Sequence, residues 1–177
     1  MKNKNLFLSV LPLLLASCSF GEQSINNAYL NYKYVLKSAG DIHDVPLRTK
    51  EVLSSTPGFT NYTSLFDKEK SYINFQCVGT NFDDFKCETT FVLYDKNGNT
   101  VFGGENFVFN SRYTSKNRGE LVYEDENIKN QIGTIYVNTA YWCRWQFEYD
   151  VDGSGNKTLL TFEFWKTSYN TLPEWEN

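Results

Sequence analysis

Ten consecutive residues, Tyr141 to Asp150 (YWCRWQFEYD), alternate between two chemical characters. Tyr141, Cys143, Trp145, Phe147 and Tyr149 share one side of an extended chain. Trp142, Arg144, Gln146, Glu148 and Asp150 share the other. Successive strand side chains point to opposite faces, so a period of two predicts a strand with one face on a core. Residues 158–166 repeat the pattern after the turn VDGSGN. Leu160, Phe162 and Phe164 fall on one side, and Leu159, Thr161, Glu163 and Trp165 on the other. Two such segments flanking a Gly-rich turn predict a hairpin whose apolar sets lie together.

The same reading extends back to residue 71. SYINFQCV, KCETTFVLY, TVF, ENFVF, ELVY and IGTIYVN all read as strands, with Gly103-Gly104 breaking one run. Asn97-Gly98 supplies the positive φ angles of a tight hairpin turn between two of them. Aromatic residues, 17% of the chain, favour strands. About seven mostly antiparallel strands with one-sided patterning need a second layer over the apolar face. The expected fold is therefore all-β, an antiparallel β-sandwich over residues 71–166, with barrel-like closure as the alternative. Residues 28–70 are expected to pack on it as a short helix and an irregular segment. The helix is placed in AYLNYKYVLKS (28–38), although Tyr32, Tyr34 and Leu36 also alternate as an edge strand would. Residues 167–177 read as a flexible tail.

The N-terminus reads as an address rather than as structure. Lys2 and Lys4 precede an apolar run from Leu6 to Ala16, followed by small residues and Cys18. Positive, apolar, small is the order of a secretory signal, and the run is too short to span a bilayer about 30 Å thick. Leu15-Ala16-Ser17-Cys18 resembles the lipobox of bacterial lipoproteins. That resemblance implies a signal peptide over residues 1–17 and fatty-acyl chains on Cys18. It also implies a tether over 18–27 and a location in the bacterial cell envelope, at the outer membrane or cell surface. Ordinary cleavage near Ser17 or Ser19 is the alternative. Buried acyl chains hold a protein to a membrane at about 0.8 kcal/mol per CH₂.

With Cys18 acylated, Cys77, Cys87 and Cys143 remain, enough for one intrachain disulfide. Each alternates in phase with apolar neighbours, so all three are expected in the core. Cys77–Cys87 is the first choice of pair and Cys87–Cys143 the alternative. The single histidine, His43, lies far from all three in sequence, which argues against a Cys-His catalytic pair.

Phe91-Val92-Leu93-Tyr94-Asp95, followed by the Asn97-Gly98-Asn99 turn, resembles the signature of the FxLYD domain family. The resemblance implies a small immunoglobulin-like sandwich on a secreted or surface protein, with no enzymatic activity.

Function is constrained mainly by what the sequence lacks. The chain carries 17 Lys plus Arg against 21 Asp plus Glu, and loss of Lys2 and Lys4 leaves it more acidic. No basic patch points to nucleic acid. No HExxH, GxSxG or P-loop string points to an enzyme, and no cofactor is implied. Trp142, Trp165 and Trp175 are the candidate binding residues, since exposed indoles stack on sugars or anchor a protein partner; if residues 28–60 cover that face instead, Trp142 and Trp165 are simply core. The other candidates are weaker. Asp150, Asp152 and Ser154 resemble the opening of a calcium loop, but position twelve is Thr161 rather than Glu. Glu148 and Glu163 form a conceivable glycosidase pair. The expected function is a membrane-anchored, non-catalytic binding module for a protein or glycan. A purely structural envelope component is the alternative, and an envelope polysaccharide hydrolase ranks third.

Overall fold

The computed structural model describes residues 33–42, 52–81, 84–114, 120–138 and 141–167. The signal, Cys18, the tether, His43 and Trp175 lie outside them. Among the described residues nine strands are present: β1 Lys33–Asp41, β2 Thr60–Asn61, β3 Tyr72–Asn81, β4 Asp84–Tyr94, β5 Thr100–Thr114, β6 Leu121–Tyr123, β7 Ile135–Asn138, β8 Trp142–Tyr149 and β9 Thr158–Lys166. One short helix, α1 Glu126–Ile132, joins β6 to β7. The Asp125 carboxylate caps it by accepting the Asn127 N–H at 2.8 Å, and Gly133 ends it at φ +73°.

All-β and antiparallel hold. The sandwich does not, because the strands form one sheet in the order β6-β5-β4-β3-β1-β9-β8-β7, with β2 on the end of β1. A single bridge, Glu120 to Tyr136, joins the β6 side to β7, so the sheet is a nearly closed barrel. Apart from β2, each strand lies beside its neighbours in sequence, and β1 returns to β9 to close the meander. The second layer required by the one-sided pattern is thus the far wall of the same sheet. The immunoglobulin-like sandwich implied by the FxLYD resemblance is not the observed sheet. That string ends β4, with Phe91 and Leu93 in the core. Asp95 then organises the turn, accepting from the Asn97 and Asn99 N–H groups and from Asn99 Nδ2 at 2.8–2.9 Å. These bonds, those from Asn99 foremost, hold its carboxyl below the usual range.

The helix expected over residues 28–38 is replaced, from Lys33 on, by β1. The period of two prevails because β1 has a partner on each side, β3 and β9, and sends Tyr34, Leu36 and Ala39 into the core. What reads as an appended segment therefore contributes a central strand. Gly40 permits its cover. A Cβ there would lie 2.3 Å from the Phe59 ring and 2.5 Å from the Thr60 carbonyl oxygen, so the segment after it can lie on β1 only over glycine.

The barrel interior is aromatic. Trp145 packs on Phe91 at 4.6 Å, on Phe147 at 4.8 Å, on Phe102 at 5.0 Å and on Phe162 at 5.3 Å between ring centroids. Its indole N–H donates to the Ile132 carbonyl at 2.6 Å, tying α1 to the core. Cys77 and Cys87 are direct cross-strand partners on β3 and β4 and form the disulfide. Cys143 is the free, buried thiol. Replacing Cys77 and Cys87 together by alanine is expected to cost about 2–3 kcal/mol in urea unfolding, the loop-closure value for a short ring.

Candidate functional site

Sequence candidates converge on the outer face of β8 and β9. Register sets Trp142 opposite Trp165 and Arg144 opposite Glu163. In an open sheet these four would face water. Here the turn Leu53–Ser55, with Leu53 buried, reaches Glu163 through the Leu53 amide, and Trp142, Trp165, Arg144 and Glu163 are 4%, 5%, 0% and 0% exposed. Trp142 and Trp165 are thus core residues, as a cover over this face from residues 28–60 requires, and not exposed binding indoles.

Glu163 is the centre of this cluster. One carboxylate oxygen accepts from Arg144 Nε at 2.7 Å and from the Leu53 backbone N–H at 3.3 Å. The other accepts from Trp165 Nε1 at 2.8 Å. Arg144 Nη2 closes the ion pair at 2.5 Å. The guanidinium carbon also lies 4.1 Å from the Trp142 ring centroid, a cation–π contact. Trp142 Nε1 is buried without a hydrogen-bond partner. A carboxylate saturated by a guanidinium, an indole and a backbone amide has little capacity left for a substrate proton. The cluster joins β8, β9 and the covering turn by one charged contact.

The glycosidase pair separates on the same register. Glu148 lies opposite Leu159, four residues along the strand from Glu163. At strand rise that is about 13 Å, beyond the separation of about 5–9.5 Å that two-carboxylate hydrolysis uses. The calcium-like turn is likewise occupied by its own backbone. Asp150 accepts from the Gly153 and Gly155 N–H groups at 2.8 and 2.7 Å, and Asp152 from Ser154 at 3.0 Å. The Ser154 bonds lower the Asp152 carboxyl. Among the described residues no three His, Cys, Asp or Glu side chains are placed to share a metal ion.

Cys143 faces the barrel interior between Trp142 and Arg144. Burial, and then the Glu163 charge, raise its thiol well above the ordinary value. It therefore remains protonated at neutral pH and is a poor nucleophile. Arg144 was invisible to sequence reasoning as a buried partner. On an alternating strand, Arg opposite Glu reads as an ordinary wet face unless another segment covers it. Comparison with protein-family models, curated proteins and solved structures gives no match.

Two outcomes are expected. Glu163→Leu, which strands a buried guanidinium, should cost about 3–5 kcal/mol in denaturant unfolding, whereas the Arg144→Met/Glu163→Leu pair should recover most of that loss. Cys143 should resist thiol reagents in the native protein at neutral pH and react fully in denaturant. Its raised folded pKa also makes it stabilising below about pH 8.5, an effect that fades as pH rises because the unfolded thiol ionises first.

Proposed function

We propose that this chain is an envelope lipoprotein whose barrel is a non-catalytic binding module held to a membrane through Cys18. The observation that carries the reading is the Cys77–Cys87 disulfide. Disulfides persist in oxidising compartments outside the cytoplasm, the destination that the lipobox-like Leu15-Ala16-Ser17-Cys18 implies.

The topology suits a tether. Tyr34 at the start of β1 is paired with Lys166 at the end of β9, so the chain enters and leaves the barrel at one end. The turns at 95–99 and 150–157 lie at the other, facing away from the membrane. Residues 19–32 between Cys18 and β1 give a reach of at most about 50 Å. The aromatic interior directs binding to the outside of the wall. The half-buried outer-face tyrosines Tyr72 of β3 and Tyr136 of β7 replace Trp142 and Trp165 as ring surfaces within reach of a ligand, supporting a protein or glycan partner.

Mass spectrometry of the protein from its own cell should find Cys18 as the N-terminal residue, carrying fatty acids. Cys18→Ser should release the protein from membranes. An unmodified chain beginning at Met1 would overturn the reading. Affinity electrophoresis through envelope polysaccharide should show retardation, or cross-linking in intact cells should show one defined partner, with no new reducing ends. Neither signal would favour a structural component, and polysaccharide cleavage an enzyme.

A further inference from the structure

The outer face of β1 carries a cleft that borders the Glu163 cluster. Pairing with β9 slips between Leu36 and Ser38, so Lys37 has no partner across the strand. Such a bulge re-aims its side chain. The Lys37 ammonium sits 4.5 Å from the Trp165 ring centroid. Beside it, Ser38, Ser54, Thr63, Ser64 and Lys68 line a cleft of about 350 Å³.

The cleft is locally cationic on an acidic chain. None of its lining residues is a carboxylate. Two acids that adjoin its lining residues, Asp67 beside Lys68 and Glu163 opposite Ser38, are committed elsewhere. Asp67 accepts from the Glu69 and Lys70 N–H groups and lies 3.7 Å from the Lys70 ammonium. Glu163 is taken by Arg144, Trp165 and Leu53. Ser38 gives a second, independent sign. It is 3% exposed, it lines the cleft, and its Oγ has no hydrogen-bond partner. A buried hydroxyl left unpaired costs free energy unless something outside the protein pairs with it.

We propose that this cleft binds a phosphate group. Lys37 and Lys68 supply two point charges, and the Ser38, Ser54 and Ser64 hydroxyls supply donors. Two cations with several donors match a dianion with three or more acceptor oxygens better than a carboxylate with two. The volume exceeds that of a bare phosphate and leaves room for a sugar-sized remainder, so the group arrives either free or on a sugar. This names the ligand class of the binding module and rests on that reading. Loss of phosphate binding would leave the Cys18 anchor untouched, so the two fail separately.

The test is titration calorimetry of the full chain in a non-ionic detergent at low salt. The probes are inorganic phosphate, a hexose 6-phosphate and the unphosphorylated hexose. Both phosphates should bind at one saturable site and the bare hexose should not. Tighter binding of the sugar phosphate identifies a phosphorylated sugar as the source, and equal binding identifies the free anion. Lys68→Met and Ser38→Ala should each weaken binding about tenfold or more. Ser38→Ala should leave the melting temperature unchanged or raised, because it removes a hydroxyl that nothing in the protein satisfies. A merely structural serine would not move the affinity. No saturable binding of either phosphate up to about 10 mM, binding of the bare hexose alone, or affinity unchanged in both variants would overturn the proposal.

Discussion

Trp145 is the residue on which the barrel closes. Its ring touches Phe91 of β4, Phe102 of β5, Phe147 of β8 and Phe162 of β9, and its N–H reaches the end of α1. A meander of short strands is a set of hairpins that are marginal alone. It becomes a stable unit only when opposite walls share buried area. Large flat rings do this economically, since each buries much apolar surface in few rotamers. The interior is therefore solid with side chains, and any ligand has to meet the outside of the wall.

That outer wall is not uniform. Along β8, β9 and β1 it is roofed by the turn at Leu53, and an Arg–Glu pair replaces the water that would otherwise solvate it. Buried ion pairs are weak sources of net stability but strict about geometry. The Glu163 carboxylate, shared by the β8 guanidinium and the Leu53 amide, fixes where the roof sits. At the edge of that roof the bulge at Lys37 turns a cation outward and leaves the Ser38 hydroxyl unsatisfied. The same device that closes the second layer thus leaves, at its edge, a cation and an unpaired hydroxyl beside a cleft.

Much of the fold was legible because strand side chains alternate with a fixed period. The hairpin of β8 and β9, the Asn97-Gly98 turn and the core placement of all three cysteines follow from local pattern. Closure was not legible. A one-sided sheet needs a partner face, but whether that face is a second sheet or the far wall depends on where β1 pairs, and that is a non-local choice. The helical reading gives way from Lys33 on for the same reason, since Tyr34 and Leu36 find their partners in β3 and β9, both distant in sequence. The outer-face residues were legible in identity, while their environment stayed open between water and a cover from residues 28–60. Trp142 and Trp165 sit off the main apolar stripe, and nothing in their own neighbourhood decides between water and a cover supplied by a segment about 90 to 110 positions earlier.

The account depends on β1 being an integral wall strand that closes the sheet onto β9. Native-state amide hydrogen exchange measures this most directly. Amides of β1 that bond to β9 should be protected to the same degree as the β8–β9 amides and should exchange only with global unfolding. Rapid exchange along β1 with β8 and β9 still protected would contradict it, leaving an open sheet and no continuous core around Trp145.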